Sequence, residues 1–257
     1  MSTPRIYKRP SIPGPRARVG EVIPGLHQRG LLTTSAFLVI TPDAETGEVA
    51  ITIIDAGWRL YHHRRIIEYL GRLGHGPGSV RQLISTHYHP DHVGGMAGLR
   101  QATGAPLAAH HIEAPYLSGE AGRKIPNPVR PVWLRPFMWP LLTWMTPAQV
   151  PVASSLHEGD VLPLLSGARV IHTPGHTPGS ISLIFPEEGV LIVGDAIQRY
   201  RDRLTLPSRW FSSDMEAAKA SVRKLAELDF EVLCFSHFEP MRQGARSALR
   251  SLAEYVS

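Results

Sequence analysis

Cysteine is nearly absent. Cys234 is the single one in 257 residues, so no disulfide within the chain can hold the fold together. It sits in the apolar run Val232-Leu233-Cys234-Phe235, which reads as a buried strand carrying an inert thiol rather than a nucleophile. Long hydrophobic runs are missing too: nothing approaches the roughly 20 apolar residues that a membrane-spanning helix needs. The stretch Met1 to Gly30 is basic and proline-rich, without the apolar core of a signal peptide. A cytoplasmic location and no membrane span are therefore the expectation. Internal repeats are absent. Acidic residues are outnumbered by basic ones, 22 to 27, and the surplus reads as solubility. The basic residues are scattered, though Arg199, Arg201, Arg203 and Arg209 lie close together. With no further nucleic-acid module visible, a small-molecule partner is expected rather than nucleic acid.

What is present is ordinary for a globular protein: 43% hydrophobic residues, with 23 Pro and 23 Gly spread through the chain. No break in composition marks a linker, so residues 1–257 are expected to form one domain. Apolar alternation predicts paired strands at 35–41 and 50–55 and further strands at 80–85, 105–109, 160–165, 168–173, 180–185, 189–194 and 231–235. Helical spacing predicts helices at 61–73, 92–103, 213–228 and 241–255. Strands in both halves with flanking helices point to an α/β protein.

One segment stands apart from this pattern. Residues 119–152 hold three of the five tryptophans (Trp133, Trp139 and Trp144), with Phe137 and many prolines. Such a stretch is either a surface excursion, which could pair two subunits into a homodimer, or an apolar wall over a site. Trp133, Phe137 and Trp139 are the substrate-contact candidates it offers.

The most informative stretch is His87-Tyr88-His89-Pro90-Asp91-His92. Three imidazoles crowded together repel when protonated and must be desolvated when neutral; a divalent metal resolves both problems. On a helix, His87 and His89 would point roughly 200° apart. Pro90 also pushes the preceding residue out of helical conformation. The ligands are therefore expected on a loop after strand 80–85, with Asp91 capping a helix and Gly94-Gly95 letting that helix pack closely. His176, Asp195 and His237 are further candidates of the same type. Seven nitrogen and oxygen donors are too many for one tetrahedral ion and suit two ions sharing a bridge.

These residues resemble the HxHxDH signature of the metallo-β-lactamase superfamily. The likeness continues through Ile53-Ile54-Asp55-Ala56-Gly57, Thr173-Pro174-Gly175-His176-Thr177-Pro178-Gly179-Ser180, Val193-Gly194-Asp195 and Ser236-His237. The resemblance implies a four-layer αββα sandwich with the site at one edge. It implies one metal on His87, His89 and His176, another on Asp91, His92 and His237, and Asp195 between them. Zinc is the expected ion, with iron and manganese as alternatives. A bridging hydroxide would be the nucleophile, since metal binding lowers the pKa of water from about 15.7 to about 7. Asp91 would orient that nucleophile and carry a proton to the leaving group. Asp55, at a strand end, is expected to accept an N–H from a ligand histidine. Tyr200 is a further candidate to touch substrate. His27, His62, His63, His75, His110, His111, His157 and His172 read as structural or surface residues, with His172 turned away from the His176 side.

Within the resemblance, hydrolysis of an ester, lactone or thioester is the expected activity, and the tryptophan-rich segment points to a small apolar substrate. True β-lactamases of this fold carry cysteine or a small residue at the Asp195 position. Glyoxalase-II-like thioesterases carry a long helical extension after the last ligand, whereas 20 residues follow His237 here. Some lactonases have tyrosine where this chain has Gln198. Diiron electron carriers have glutamate at the His89 position. A phosphodiesterase or ribonuclease and a persulfide-dioxygenase-like oxidoreductase with one iron stay open as alternatives.

Overall fold

The structure is a computed structural model, and it describes residues 20–31, 33–42, 47–59, 62–121, 148–200 and 203–256. Its first sheet has seven strands in sequence order: β1 (Glu21–Ile23), β2 (Leu26–Leu31), β3 (Thr34–Pro42), β4 (Val49–Ile54), β5 (Val80–Ser85), β6 (Leu107–His110) and β7 (Val152–Leu156). The first four run antiparallel, and β4 to β7 run parallel. The second sheet holds β8 (Val161–Leu162), β9 (Ala168–His172), β10 (Ile181–Phe185), β11 (Val190–Ile192) and β14 (Val232–Cys234), in the order β14-β11-β10-β9-β8. β12 (Gln198–Tyr200) and β13 (Arg203–Thr205) make a separate two-stranded ribbon.

Strand periodicity sets the layers. Along β3, Phe37 and Val39 enter a core shared with Val170, Leu183 and Phe185 of the second sheet. Ala36 and Leu38 face the other way, onto Ile66 and Leu70 of helix α1 (His62–Arg72) and Met96 and Leu99 of helix α3 (Met96–Thr103). The second sheet does the same: Val190 and Ile192 of β11 face inward. Leu191 packs outward on Val222 and Leu225 of helix α5 (Met215–Ala226) and on Leu249 and Leu252 of helix α6 (Ala245–Tyr255). Helix, sheet, sheet and helix are thus stacked as four layers, the αββα sandwich that the resemblance implied. Because both sheet faces are buried, the central strands read as nearly continuous apolar runs.

Three differences from the sequence reading have physical causes. The helix expected at 92–103 is two helices, α2 (Pro90–Val93) and α3, separated at Gly94-Gly95. A Cβ on Gly95 would lie 2.4 Å from Ala56 O, and one on Gly94 would lie 2.3 Å from Arg59 N. The pair lets the 55–59 loop pass against the break, where Ala56 N donates to His92 O and Gly95 N to Gly57 O. Asp91 does not cap this helix. His89 holds the cap position, Pro90 is the first helical residue, and Asp91 lies in the first turn. Finally, β2 lies where no strand is predicted. Its His27-Gln28-Arg29 core is polar, but the Gln28 NH2 donates toward Ser35 Oγ, Phe235 O and Phe238 O, so burial leaves its donors paired.

Candidate metal centre

Every candidate ligand follows the carboxyl end of a strand or lies in the turn just beyond one. His87, His89, Asp91 and His92 follow β5, His176 follows β9, Asp195 follows β11 and His237 follows β14. The Ser85 hydroxyl, at the last residue of β5, donates to His87 O and holds the loop in its sharp exit. Asp195 follows Gly194 at φ 53°, and His176 follows Gly175 at φ 132°. At Gly175 a Cβ would sit 2.3 Å from Ala218 N at the start of α5. Glycine is required there, and the turn can therefore push His176 inward.

All seven residues converge. His87, His89 and His176 form one group whose donor atoms lie within 4.8 Å of one another; His87, His92 and Asp195 form a second, and Asp91, His92 and His237 a third. Asp195 stands between them. Its Oδ2 is 3.0 Å from His237 Nε2 and 3.5 Å from His176 Nε2, while Oδ1 is 3.5 Å from His92 Nε2. Asp91 Oδ2 is 3.4 Å from His237 Nε2 and 3.7 Å from His92 Nε2.

The donor atoms are buried and unpaired in a telling way. Nε2 of His87, His89, His92 and His176 and Oδ1 of Asp195 have no hydrogen-bond partner among the described residues. Buried polar atoms are normally paired, and five orphans aimed at one space fit divalent cations. The other ring nitrogens of His87, His92, His176 and His237 are occupied. His92 Nδ1 donates to Asp55 Oδ2 at 2.8 Å, and His237 Nδ1 donates to Thr33 O at 2.6 Å. The Thr86 hydroxyl donates to Asp55 Oδ2 and so can accept from His87 Nδ1. His176 Nδ1 lies 3.3 Å from Ser212 Oγ, whose own proton goes to Ser208 O. Each of these bonds leaves Nε2 facing the centre.

Electrostatics divides the imidazoles. Burial, reinforced by neighbouring imidazoles, holds His87 and His176 well below the usual histidine range, and burial brings His89 to about 4. Burial also acts to lower His92 and His237, but Asp195 and Asp91 outweigh it and raise both, with Asp55 adding to His92. Asp195 is buried, which opposes its charge. His237 and His92 overcome that and hold it well below the carboxylate range.

Asp55 is where a strand-end partner was expected, and it reaches two histidines, one directly and one through Thr86. It holds φ 59°, a left-handed conformation that aspartate tolerates better than most residues. Tyr200 lies on β12, half-buried and paired with Arg203 across the ribbon. Trp133, Phe137 and Trp139, and with them the pairing surface expected of the insertion, lie outside the described residues. His172 stacks on His110, with ring centroids 4.2 Å apart, and its Nε2 donates to Pro178 O. Cys234 is fully buried, and burial pushes its thiol up to about 12.

Sequence reasoning missed several residues. Glu113 is buried beside the ligand loops, where burial raises it to about 7 against three hydrogen-bond donors. Trp210 and Phe211 are 59% and 49% exposed on the loop that also carries Ser212. Isolated from any motif, Glu113 gives no sign in the sequence of lying beside the ligand loops, and Trp210 and Phe211 give none of sharing a loop with a partner of His176.

The chain is similar to known proteins over most of its length. It is 29% identical to a probable metallo-hydrolase of Bacillus subtilis, over 92% of this chain and 93% of that one. It is 30% identical to a hydroxyacylglutathione hydrolase of Cereibacter sphaeroides, over 83% of this chain and 65% of that protein. The fold matches the crystal structure of a metallo-beta-lactamase family protein from Thermus thermophilus. That match has TM-score 0.64 and 23% identity, and it covers 91% of this chain and 80% of the other. Residues 29–237 match the family model described as "Metallo-beta-lactamase superfamily", a span running from β2 to the last candidate ligand, and the chain belongs to that superfamily.

Proposed function

We propose that the chain is a metal-dependent hydrolase that cleaves an ester, lactone or thioester of a small apolar substrate. It would use two divalent ions, zinc first among them. His87, His89 and His176 hold one, Asp91, His92 and His237 hold the other, and Asp195 is shared. The position of Asp195 carries this reading: its two oxygens lie within 3.5 Å of His176, in the first group, and of His92 and His237, in the second. Two cations about 3.5–4 Å apart need such a shared anion between them. When bound, the ions supply Lewis acidity that activates water and polarises a carbonyl.

The protein's own groups do the remaining work. Asp55, Thr86 and Thr33 fix which nitrogen of His92, His87 and His237 faces the centre. Asp91, with its side chain 21% exposed, stands where it can orient the attacking water, accept its proton and pass that proton to the leaving group. Trp210 and Phe211 offer an apolar wall on the loop that holds Ser212 beside His176, suited to an acyl or alkyl portion. Similarity to a hydroxyacylglutathione hydrolase supports an acyl bond of that kind. Among the described residues no helix is long and apolar enough to cross a membrane.

Elemental analysis of the purified protein, joined to a panel of ester, lactone, thioester, phosphodiester and persulfide substrates, tests this. Two zinc ions with acyl-bond turnover that improves with chain length support it, and Trp210→Ala should flatten that trend. One iron with oxygen consumption would make it a dioxygenase, and phosphodiester cleavage weakened by salt would make it a nuclease.

A further inference from the structure

Glu113 holds the N-cap position of the short helix α4 (Ala114–Ser118), but its side chain makes no capping bond. Its carboxylate crosses instead to two loops that are far apart in sequence. Oε2 accepts the Tyr88 N–H at 2.7 Å, 25 residues back along the chain. Oε1 accepts the Thr177 hydroxyl at 2.9 Å and the Gly179 N–H at 2.7 Å, 64 and 66 residues ahead. Tyr88 lies between His87 and His89, and Thr177 immediately follows His176. The three donors thus flank the three histidines of one group and touch none of the other. The approach is built into the backbone. A Cβ on Gly179 would lie 2.7 Å from Glu113 Cγ and 2.8 Å from its Oε1, so any larger residue would push the carboxylate away. Thr177 is itself held: its N–H donates to Ser180 Oγ, and the two hydroxyls are 2.7 Å apart.

We propose that Glu113 is a positioning residue: its carboxylate clamps the His87–His89 loop to the His176 loop and thereby sets the metal affinity of that group alone. This rests on the two-ion reading above. The chemistry requires two oxygens. Glutamine would keep the shape but place an NH2 against the donors on one side, opening one half of the clamp. His92 and His237 do not depend on it, because they are oriented by Asp55 and Thr33.

The test measures cobalt affinity of ion-free protein in two backgrounds. His237→Ala leaves the clamped group as the main site, and His89→Ala leaves the other. Glu113→Gln should weaken cobalt binding about 10–100-fold in the first background and leave it unchanged in the second. The cobalt absorption band of the first background should also shift. Equal loss in both backgrounds would mean a general structural role, and no loss in either would mean no role at all; each overturns the proposal. If Glu113→Gln does not fold, Thr177→Val removes one donor from the same clamp and should show a smaller loss confined to the same background. The parent protein is titrated alongside. Failure to bind two equivalents there sinks the two-ion reading, separately from the clamp.

Discussion

Asp55 Oδ2 lies 2.8 Å from His92 Nδ1, and both side chains are fully buried. Around this pair the centre is organised. The same oxygen receives the Thr86 hydroxyl, and Oδ1 receives the Thr86 N–H. One carboxylate therefore aims His92 directly and His87 at one remove. Asp55→Ala should lower metal affinity about 10–100-fold. It should also destabilise the ion-free protein by about 1–3 kcal/mol through the buried donors left unpaired. Chelator competition and urea unfolding measure the two effects. Native affinity in a folded Asp55→Ala variant would remove Asp55 from the account.

Asp91→Asn should keep the fold and most of the bound metal, because the amide oxygen can still face His237. Turnover should fall by about 10²–10⁴-fold, the usual contribution of a positioned acid or base. Near-normal turnover at full metal content would exclude the proton-carrying role.

Metal loading should be pH-dependent at one group and not at the other. Burial keeps His87, His89 and His176 neutral in the ion-free protein at pH 7, with His89 near 4. They bind an ion without losing a proton, so their affinity should stay nearly flat as pH falls from neutral toward that low value. Burial lowers His92 and His237 as well, but the carboxylates of Asp195 and Asp91 overcome it and raise them. These two must release protons to bind. Affinity of the Asp91–His92–His237 group should therefore rise with pH through neutrality. Calorimetric titration in buffers of different ionisation enthalpy counts the protons, and equal release in both steps contradicts this assignment.

Two glycines should respond oppositely to alanine. Gly95→Ala brings a methyl to 2.4 Å from Ala56 O and should cost about 1–3 kcal/mol as an overpacked contact. Gly71, exposed in α1 with nothing within 4 Å, should gain about 0.5–1 kcal/mol. Urea midpoints of the two variants decide, and a Gly95→Ala variant as stable as the parent would show that the break in the helix is not a packing requirement.

How much of this was legible in the chain differs from residue to residue. The seven candidate ligands carry their chemistry in their type and spacing, so His87 to His237 could be named before any coordinates. Asp55 was legible from its place at a strand end. β3, β10 and β11 were legible because burial on two faces makes them mostly apolar, and β5 was legible from Val80, Leu83 and Ile84. β2 was not, since Gln28 is made tolerable by the carbonyl of Phe235, 207 residues away. Glu113 was not, since its donors come from loops on either side of it and only the fold joins them. Exposed aromatics such as Trp210 look like any loop residue until the loop is seen to carry Ser212 to His176.

The central claim is that Asp195 sits between two cations. Anomalous diffraction from crystals of the zinc-loaded protein measures this most directly. The account predicts two peaks about 3.5–4 Å apart, with one Asp195 oxygen facing each, the first among His87, His89 and His176 and the second among Asp91, His92 and His237. A single peak in fully loaded protein, or Asp195 turned away from both, would contradict it.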